Sequence, residues 1–277
     1  MRNKKEHNMS NIFAKAKPAA EKVEDDYVGG GGALVTDIYP ATIKYAYIGK
    51  AAHSDARSLV LSLKIGNSEV QRTIWMTDKH GNVTYDDKKT KEKKNLPGFN
   101  QVNSLCMLIA SKEVGNMDVE EKTLNLYDFD SKKEIPQAVD CFVDLHGQSI
   151  QVAIQQQIVD KTTKNESTGD YEPTGETRVV NEFIKFFPED RLVTISEVAH
   201  FVKSLGGDFD EVLKDGDLGK AISKMENDGD YATTWLEKNR GETWNRATGN
   251  KKEGKAFGGG KSSGGGEKKA KSSLFDD

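Results

Sequence analysis

The chain has 277 residues, 35% of them hydrophobic and 30% charged, which allows one large or two small polar domains. Its net charge of −4 argues against a simple basic nucleic-acid coat, although the local field and not the total decides what binds. No apolar run approaches the ~18 residues of a membrane span, and Arg2, Lys4, Lys5 and His7 lead into no apolar stretch, so no signal peptide is expected.

Residues 1–32 are polar, then charged, then glycine-rich at Gly29 to Gly32, which predicts a flexible arm. Met9 is a second candidate start, with residues 1–8 as an extension. Three consecutive strands follow from about Ala33: Tyr39 to Gly49, Arg57 to Ile65, and Glu69 to Met76. In the second, Leu59, Leu61, Leu63 and Ile65 alternate with Ser58, Val60, Ser62 and Lys64, so one face is core. Gly66-Asn67 makes the turn. In the third strand, Val70, Arg72, Ile74 and Met76 share one face, which puts Trp75 on the other with Gln71 and Thr73, provided no bulge intervenes.

His80-Gly81-Asn82 is a turn, Val83 to Tyr85 a short strand, and Asp86 to Asn95 a charged loop. A helix is predicted near 98–110, because Phe99, Val102, Leu105, Cys106 and Ile109 recur at helical spacing. Leu124 to Asp130 is a strand or an irregular docking segment, and Ile135-Pro136 reads as a loop. Gln148 to Lys161 and Thr177 to Phe187 form a hairpin with a long polar tip. Thr194 to Leu205 is a helix with Ser196 as a candidate cap, its core face carrying Val198, Phe201, Val202 and Leu205 and its end marked by Gly206-Gly207. Residues 191–250 form a small, mostly helical segment, either a subdomain or a loosely packed appendage. Residues 251–277 are a Gly/Ser/Lys linker ending in Leu274-Phe275-Asp276-Asp277.

A curved sheet with aromatic and basic residues on one face suits an extended single-stranded nucleic acid. Tyr45, Tyr47, Trp75 and Tyr85 are the candidate stacking platforms. Tyr45 and Tyr47 can equally be ordinary core, because simple alternation puts Ile43 on their face. Lys44, Lys50, Arg57, Lys64 and Arg72 lie on or beside the sheet, and Lys88, Lys89, Lys91, Lys93 and Lys94 crowd one loop. Lysines and arginines of this kind neutralise phosphates, while any one of them can be plain solvated surface. Lys161, Lys164, Arg178 and Lys185 on the second hairpin can extend the groove.

Catalytic signals are weak, and no enzyme, cofactor or metal is expected. Cys106 and Cys141 lack zinc spacing and read as reduced, buried thiols of a cytoplasm-like compartment. Asp215-Gly-Asp-Leu-Gly219-Lys220 fails the P-loop pattern. Asp128 and Asp130 with Glu120 and Glu121 read as an ordinary acidic loop rather than a metal site.

Three stretches resemble bacteriophage single-stranded DNA-binding proteins of the replication type: Leu96 to Cys106, Gly147 to Lys161 continuing to Thr174–Arg178 and Asn181–Phe187, and the Gly-rich tail ending Leu274 to Asp277. The resemblance covers roughly residues 33–190 and the tail. It implies an OB-fold-like β-barrel that binds single-stranded DNA without strong sequence preference during phage replication or recombination in the bacterial cytoplasm. It also implies that the tip recruits a polymerase, helicase or primase. The fold expected is mainly β with helical additions. One departure stands out: Lys251, Lys252, Lys255, Lys261, Lys268, Lys269 and Lys271 outnumber the acids of the tail, so it mimics DNA poorly. Self-association is left open. The alternatives are a replisome adaptor that does not itself grip DNA, and a metal-dependent nuclease using the acidic loop.

Overall fold

The computed structural model describes residues 33–128, 131–164 and 171–247. Ten strands and five helices are seen there. In chain order they are β1 (Asp37–Lys50), β2 (Arg57–Ile65), β3 (Ser68–Trp75), β4 (Thr84–Asp86), β5 (Lys93–Asn95), α1 (Pro97–Ala110), β6 (Val119–Asp128), β7 (Lys133–Phe142), β8 (Ser149–Lys164), β9 (Tyr171–Pro188), α2 (Ile195–Ser204), α3 (Phe209–Lys214), α4 (Leu218–Ser223), α5 (Asp230–Asn239) and β10 (Thr243–Asn245). The protein is mainly β with helical additions.

The long strand β1 serves two partners. Its first half, Asp37 to Thr42, pairs with β8, and its second half, Thr42 to Lys50, pairs with β2, both antiparallel. Hairpins add β3 to β2 and β9 to β8, giving the order β9-β8-β1-β2-β3. These five strands curve around one core as a partly open barrel. Among the described residues no ladder joins β3 to β9. Arg72 spans that seam instead, its Nε donating to the Asn181 carbonyl.

The alternation in β2 builds the centre. Leu59, Leu61 and Leu63 are fully buried with Ile43, Ile150, Val152, Ile154, Phe183 and Phe186. Phe183 and Phe186 are three apart and would face opposite ways in a regular strand. A bulge at Ile184, between the Phe183–Ile154 and Lys185–Ala153 pairs, lets both point inward. From α1, Val102, Leu105 and Cys106 plug the barrel.

Three details depart from the sequence reading. Ile135-Pro136 lies inside β7, with Pro136 opposite Asn125 on β6. A strand tolerates proline at an open edge, and among the described residues β7 pairs at Pro136 with β6 alone and meets β1 only at Cys141. The charged loop after Tyr85 is a tight β4–β5 hairpin. The cap of α2 is Thr194, not Ser196: its Oγ1 accepts from the Glu197 N–H, and the Glu197 carboxylate accepts from the Thr194 N–H. Leu205 then falls beyond the helix and is exposed.

The segment from residue 191 packs on the barrel by two routes. Val193, Val198, Val202, Leu218 and Ile222 cluster with Met107 and Leu108 on the far side of α1. Ala232 and Trp235 of α5 cover Ala153 and Phe187 on the outside of β8–β9. Glu197 ties the two, accepting from the Tyr231 N–H at 2.9 Å. The chain then returns to the sheet as β10, parallel to β8. No helix among the described residues is long and apolar enough to cross a membrane.

Candidate nucleic-acid interface

The outer face of β1-β2-β3 is shaped by one extra residue. Ile43 stands opposite Leu63 and Tyr45 opposite Ser62, so Lys44 is bulged out of the ladder. Directly opposed residues share a face. Ile43 therefore points into the core with Leu63, whereas Tyr45 and Tyr47 point outward with Ser62 and Val60. Simple alternation would have put the tyrosines with Ile43; the bulge corrects this. Across β2, Ser62 opposes Gln71, Val60 opposes Thr73 and Ser58 opposes Trp75. Tyr45, Tyr47 and Trp75 thus occupy one face.

The face has a small, closed floor. Ser58, Val60 and Ser62 are buried. Gly49 completes the Ser58–Trp75 row, where a Cβ would lie 2.5 Å from Ser58 Oγ. The Tyr45 and Tyr47 rings sit 5.9 Å apart at 39°. Tyr45 is buried, only 9% exposed, and donates its hydroxyl to Gln71 Oε1 at 2.8 Å. Burial pushes both phenols above their ordinary pKa. Trp75 is 49% exposed, the freest ring of the three.

The charges on this face are arranged in a chain of contacts. Lys44 Nζ donates to Glu69 Oε2 at 2.7 Å, and Ser62 Oγ donates to Glu69 Oε1 at 2.8 Å. Lys64 is the ladder partner of Glu69. Burial works against the Glu69 charge, yet the hydrogen bonds from Lys44 and Ser62 hold its carboxyl below the usual range. The hydrogen bond to Glu69 raises Lys44 in return. The β6–β7 hairpin borders the face through the Tyr47–Cys141 pair. Its Glu134 acts electrostatically on Lys44 and Tyr45.

The remaining predicted residues lie elsewhere. Lys50 and Arg57 form the last β1–β2 pair, on the opposite face from Gly49 and Ser58, and Arg57 Nη1 donates to the Asp55 and Ala56 carbonyls. Arg72 points to the barrel side, and its part-buried guanidinium holds the seam, 4.0 Å from the Glu182 carboxylate. Tyr85 is exposed on the separate β4–β5 hairpin, opposite Lys94. Lys94 is engaged by Asp87 at 2.7 Å. That contact, with the Thr90 and Lys89 N–H groups, pulls the Asp87 carboxyl down to about 2. Lys88, Lys89, Lys91 and Lys93 are exposed on the same hairpin. Lys161 pairs with Glu176 at 2.8 Å, and Arg178 is exposed on β9. Lys185 lies apart from this face, with Nζ 5.0 Å from the Tyr231 ring centroid, and burial lowers its pKa. The Lys164 side chain and Leu274, Phe275, Asp276 and Asp277 lie outside the described residues.

Glu69 was missed by the sequence reading, although its parity with Gln71, Thr73 and Trp75 places it on this face. Cys106 and Cys141 are both buried and free, and burial pushes the Cys106 thiol up to about 12. Among the described residues no three His, Cys, Asp or Glu side chains gather as a metal site. No match to the chain is found among protein-family models or among curated proteins.

Proposed function

We propose that the protein binds and coats single-stranded DNA without strong sequence preference, in phage replication or recombination, in the cytoplasm of the bacterial host. The observation that carries this is the single outer face holding Tyr45, Tyr47 and Trp75 with Lys44 and Lys64 beside them. Rings with a free π-face accept any base. Lysines beside them meet the phosphates and release counterions. Neither interaction needs a cofactor or catalysis. By the resemblance of its tail, the Leu274–Asp277 tip recruits a polymerase, helicase or primase.

A fluorescence titration with a dT oligonucleotide and a matched duplex, at two salt concentrations, tests this. Strong tryptophan quenching by the single strand, weak duplex binding and loss of affinity with salt are expected. No binding to either nucleic acid would leave the adaptor reading in its place.

Glu69 sets a second expectation. Its carboxylate sits where a phosphate would meet Lys44 and Lys64. Glu69→Gln frees Lys44 for the strand, and an exposed ion pair of this kind is worth about 0.2–1 kcal/mol. Affinity for the oligonucleotide should rise by up to about fivefold. The slope of log K against log salt should steepen by about 0.7, one phosphate contact on a single strand. Weaker binding by this variant would show that Glu69 supports the face instead of opposing the strand.

A further inference from the structure

The outer face of the barrel does not stop at β3. Arg72 links the β3 edge to β9 at Asn181 and Glu182. Beyond that seam the outward row is Val180–Gln157–Trp244, across β9, β8 and β10. The next row is Arg178–Val159, with Arg246 alongside, since the Arg246 N–H donates to the neighbouring Ile158 carbonyl at 2.8 Å.

Trp244 is 50% exposed, yet it is not on a frayed end. The Gly241 N–H donates to the Thr36 carbonyl at 2.9 Å, Thr36 Oγ1 donates to the Glu242 carbonyl, and Thr243 Oγ1 donates to Gln156 Oε1 at 2.6 Å. A strand of three residues is thereby held against β8 and against Thr36, just before β1, with its indole exposed. Arg178 and Arg246 are both exposed beside it. Two acids lie beside it: Glu182, which faces Arg72 and also acts electrostatically on Arg246, and the exposed Glu242, two residues before Trp244. In a chain of net charge −4, Arg72, Arg178 and Arg246 outnumber Glu182 and Glu242 around an exposed ring on an ordered strand.

We propose that Trp244, with Arg178 and Arg246, forms a second stacking platform, onto which a strand bound at Tyr45, Tyr47 and Trp75 continues across the β3–β9 seam. This rests on the single-strand reading above. A short oligonucleotide fills the first face alone, and only a longer one reaches both.

The chain has three tryptophans, and Trp235 is buried, so fluorescence separates the two platforms. Full-length protein would be titrated with dT oligonucleotides of about 6 and about 20 nucleotides, one near the lower end of the roughly 4–16 nucleotides that a single OB-like fold covers and one beyond it. In Trp75→Phe, the long oligonucleotide should still quench the remaining emission and the short one much less. Trp244→Ala should lower long-oligonucleotide affinity about fivefold or more and leave the short one within about twofold. Arg246→Ala guards against a folding defect: it should reduce the salt slope for the long oligonucleotide by about 0.7. If Trp244→Ala and Arg246→Ala bind the long oligonucleotide like the parent while Trp75→Ala does not, the second platform is wrong and the first stands. Equal losses for both lengths in Trp244→Ala would also overturn the continuation. If the parent protein binds neither length, the single-strand reading itself fails and takes the platform with it.

Discussion

Replacing Trp75 by alanine should weaken binding of a dT oligonucleotide by about 1–3 kcal/mol, the usual worth of one base stacked on an aromatic ring and roughly a 5- to 150-fold loss. The site explains why the loss should be large. Trp75 ends β3 in a row whose other members are Gly49 and Ser58, so no bulky side chain shares its row. Tyr45 and Tyr47 are more buried, and Tyr45 spends its hydroxyl on Gln71. Trp75 therefore offers a base the most open ring on this face. Its removal leaves Ile74 and Met76 buried on the core side, and changes at exposed surface positions usually stay within about 0.5 kcal/mol of stability. The expected pattern is a large affinity loss with an unchanged thermal midpoint. Unchanged affinity would take Trp75 out of the interface and leave the tyrosines to carry it.

The parts of this fold that follow a regular period were legible in the chain. The alternation of Leu59, Leu61 and Leu63 marked a two-faced strand, and the 3.6-residue stripe of Val102, Leu105 and Cys106 marked the plug helix. The parity of β3 put Trp75 outside. What was not legible is where the period breaks. A bulge shifts every later side chain to the other face, and the one at Lys44 decides whether Tyr45 and Tyr47 are core or surface. Nothing local marks it, because the cause lies in β1 serving β8 with one half and β2 with the other. Ile184 is the same case on β9.

Long-range partners were equally hidden. Lys44 and Glu69 meet only because β1 and β3 flank the same strand. Arg72 looked like one more phosphate contact until the seam at Asn181 showed what its guanidinium holds. β10 has no period to read, since three residues gain their order from β8, far back in the chain. The charge patterns of the sequence therefore overstated the number of free cations near the rings. They also missed the acid among them and the tryptophan beyond them.

Gly98 is where the plug helix and the interface are joined, and Gly98→Ala should be the most disruptive single-methyl change near the site. A Cβ on Gly98 would lie 2.0 Å from the carbonyl oxygen of Trp75 and 3.0 Å from its carbonyl carbon. Both are backbone atoms of β3, so no side chain can swing aside. Either the end of β3 must bend or the first turn of α1 must lift. Lifting α1 pulls on Val102, Leu105 and Cys106, all fully buried. Overpacking of this kind costs about 1–3 kcal/mol or more, and the backbone contact places Gly98→Ala near the upper end, about 3 kcal/mol. For a domain of this size that lowers Tm by about 6–12 °C. Gly115→Ala is the matched control, because a Cβ there meets nothing within 4 Å and its φ is not positive. It should melt within a degree or two of the parent. Affinity adds a second readout, since the strain falls on the peptide that carries the Trp75 ring. At temperatures where Gly98→Ala is still folded, oligonucleotide binding should weaken in it and not in Gly115→Ala. A Gly98→Ala protein that melts and binds like the parent would mean that α1 does not press on β3 there, and that the orientation of Trp75 is set by its strand alone.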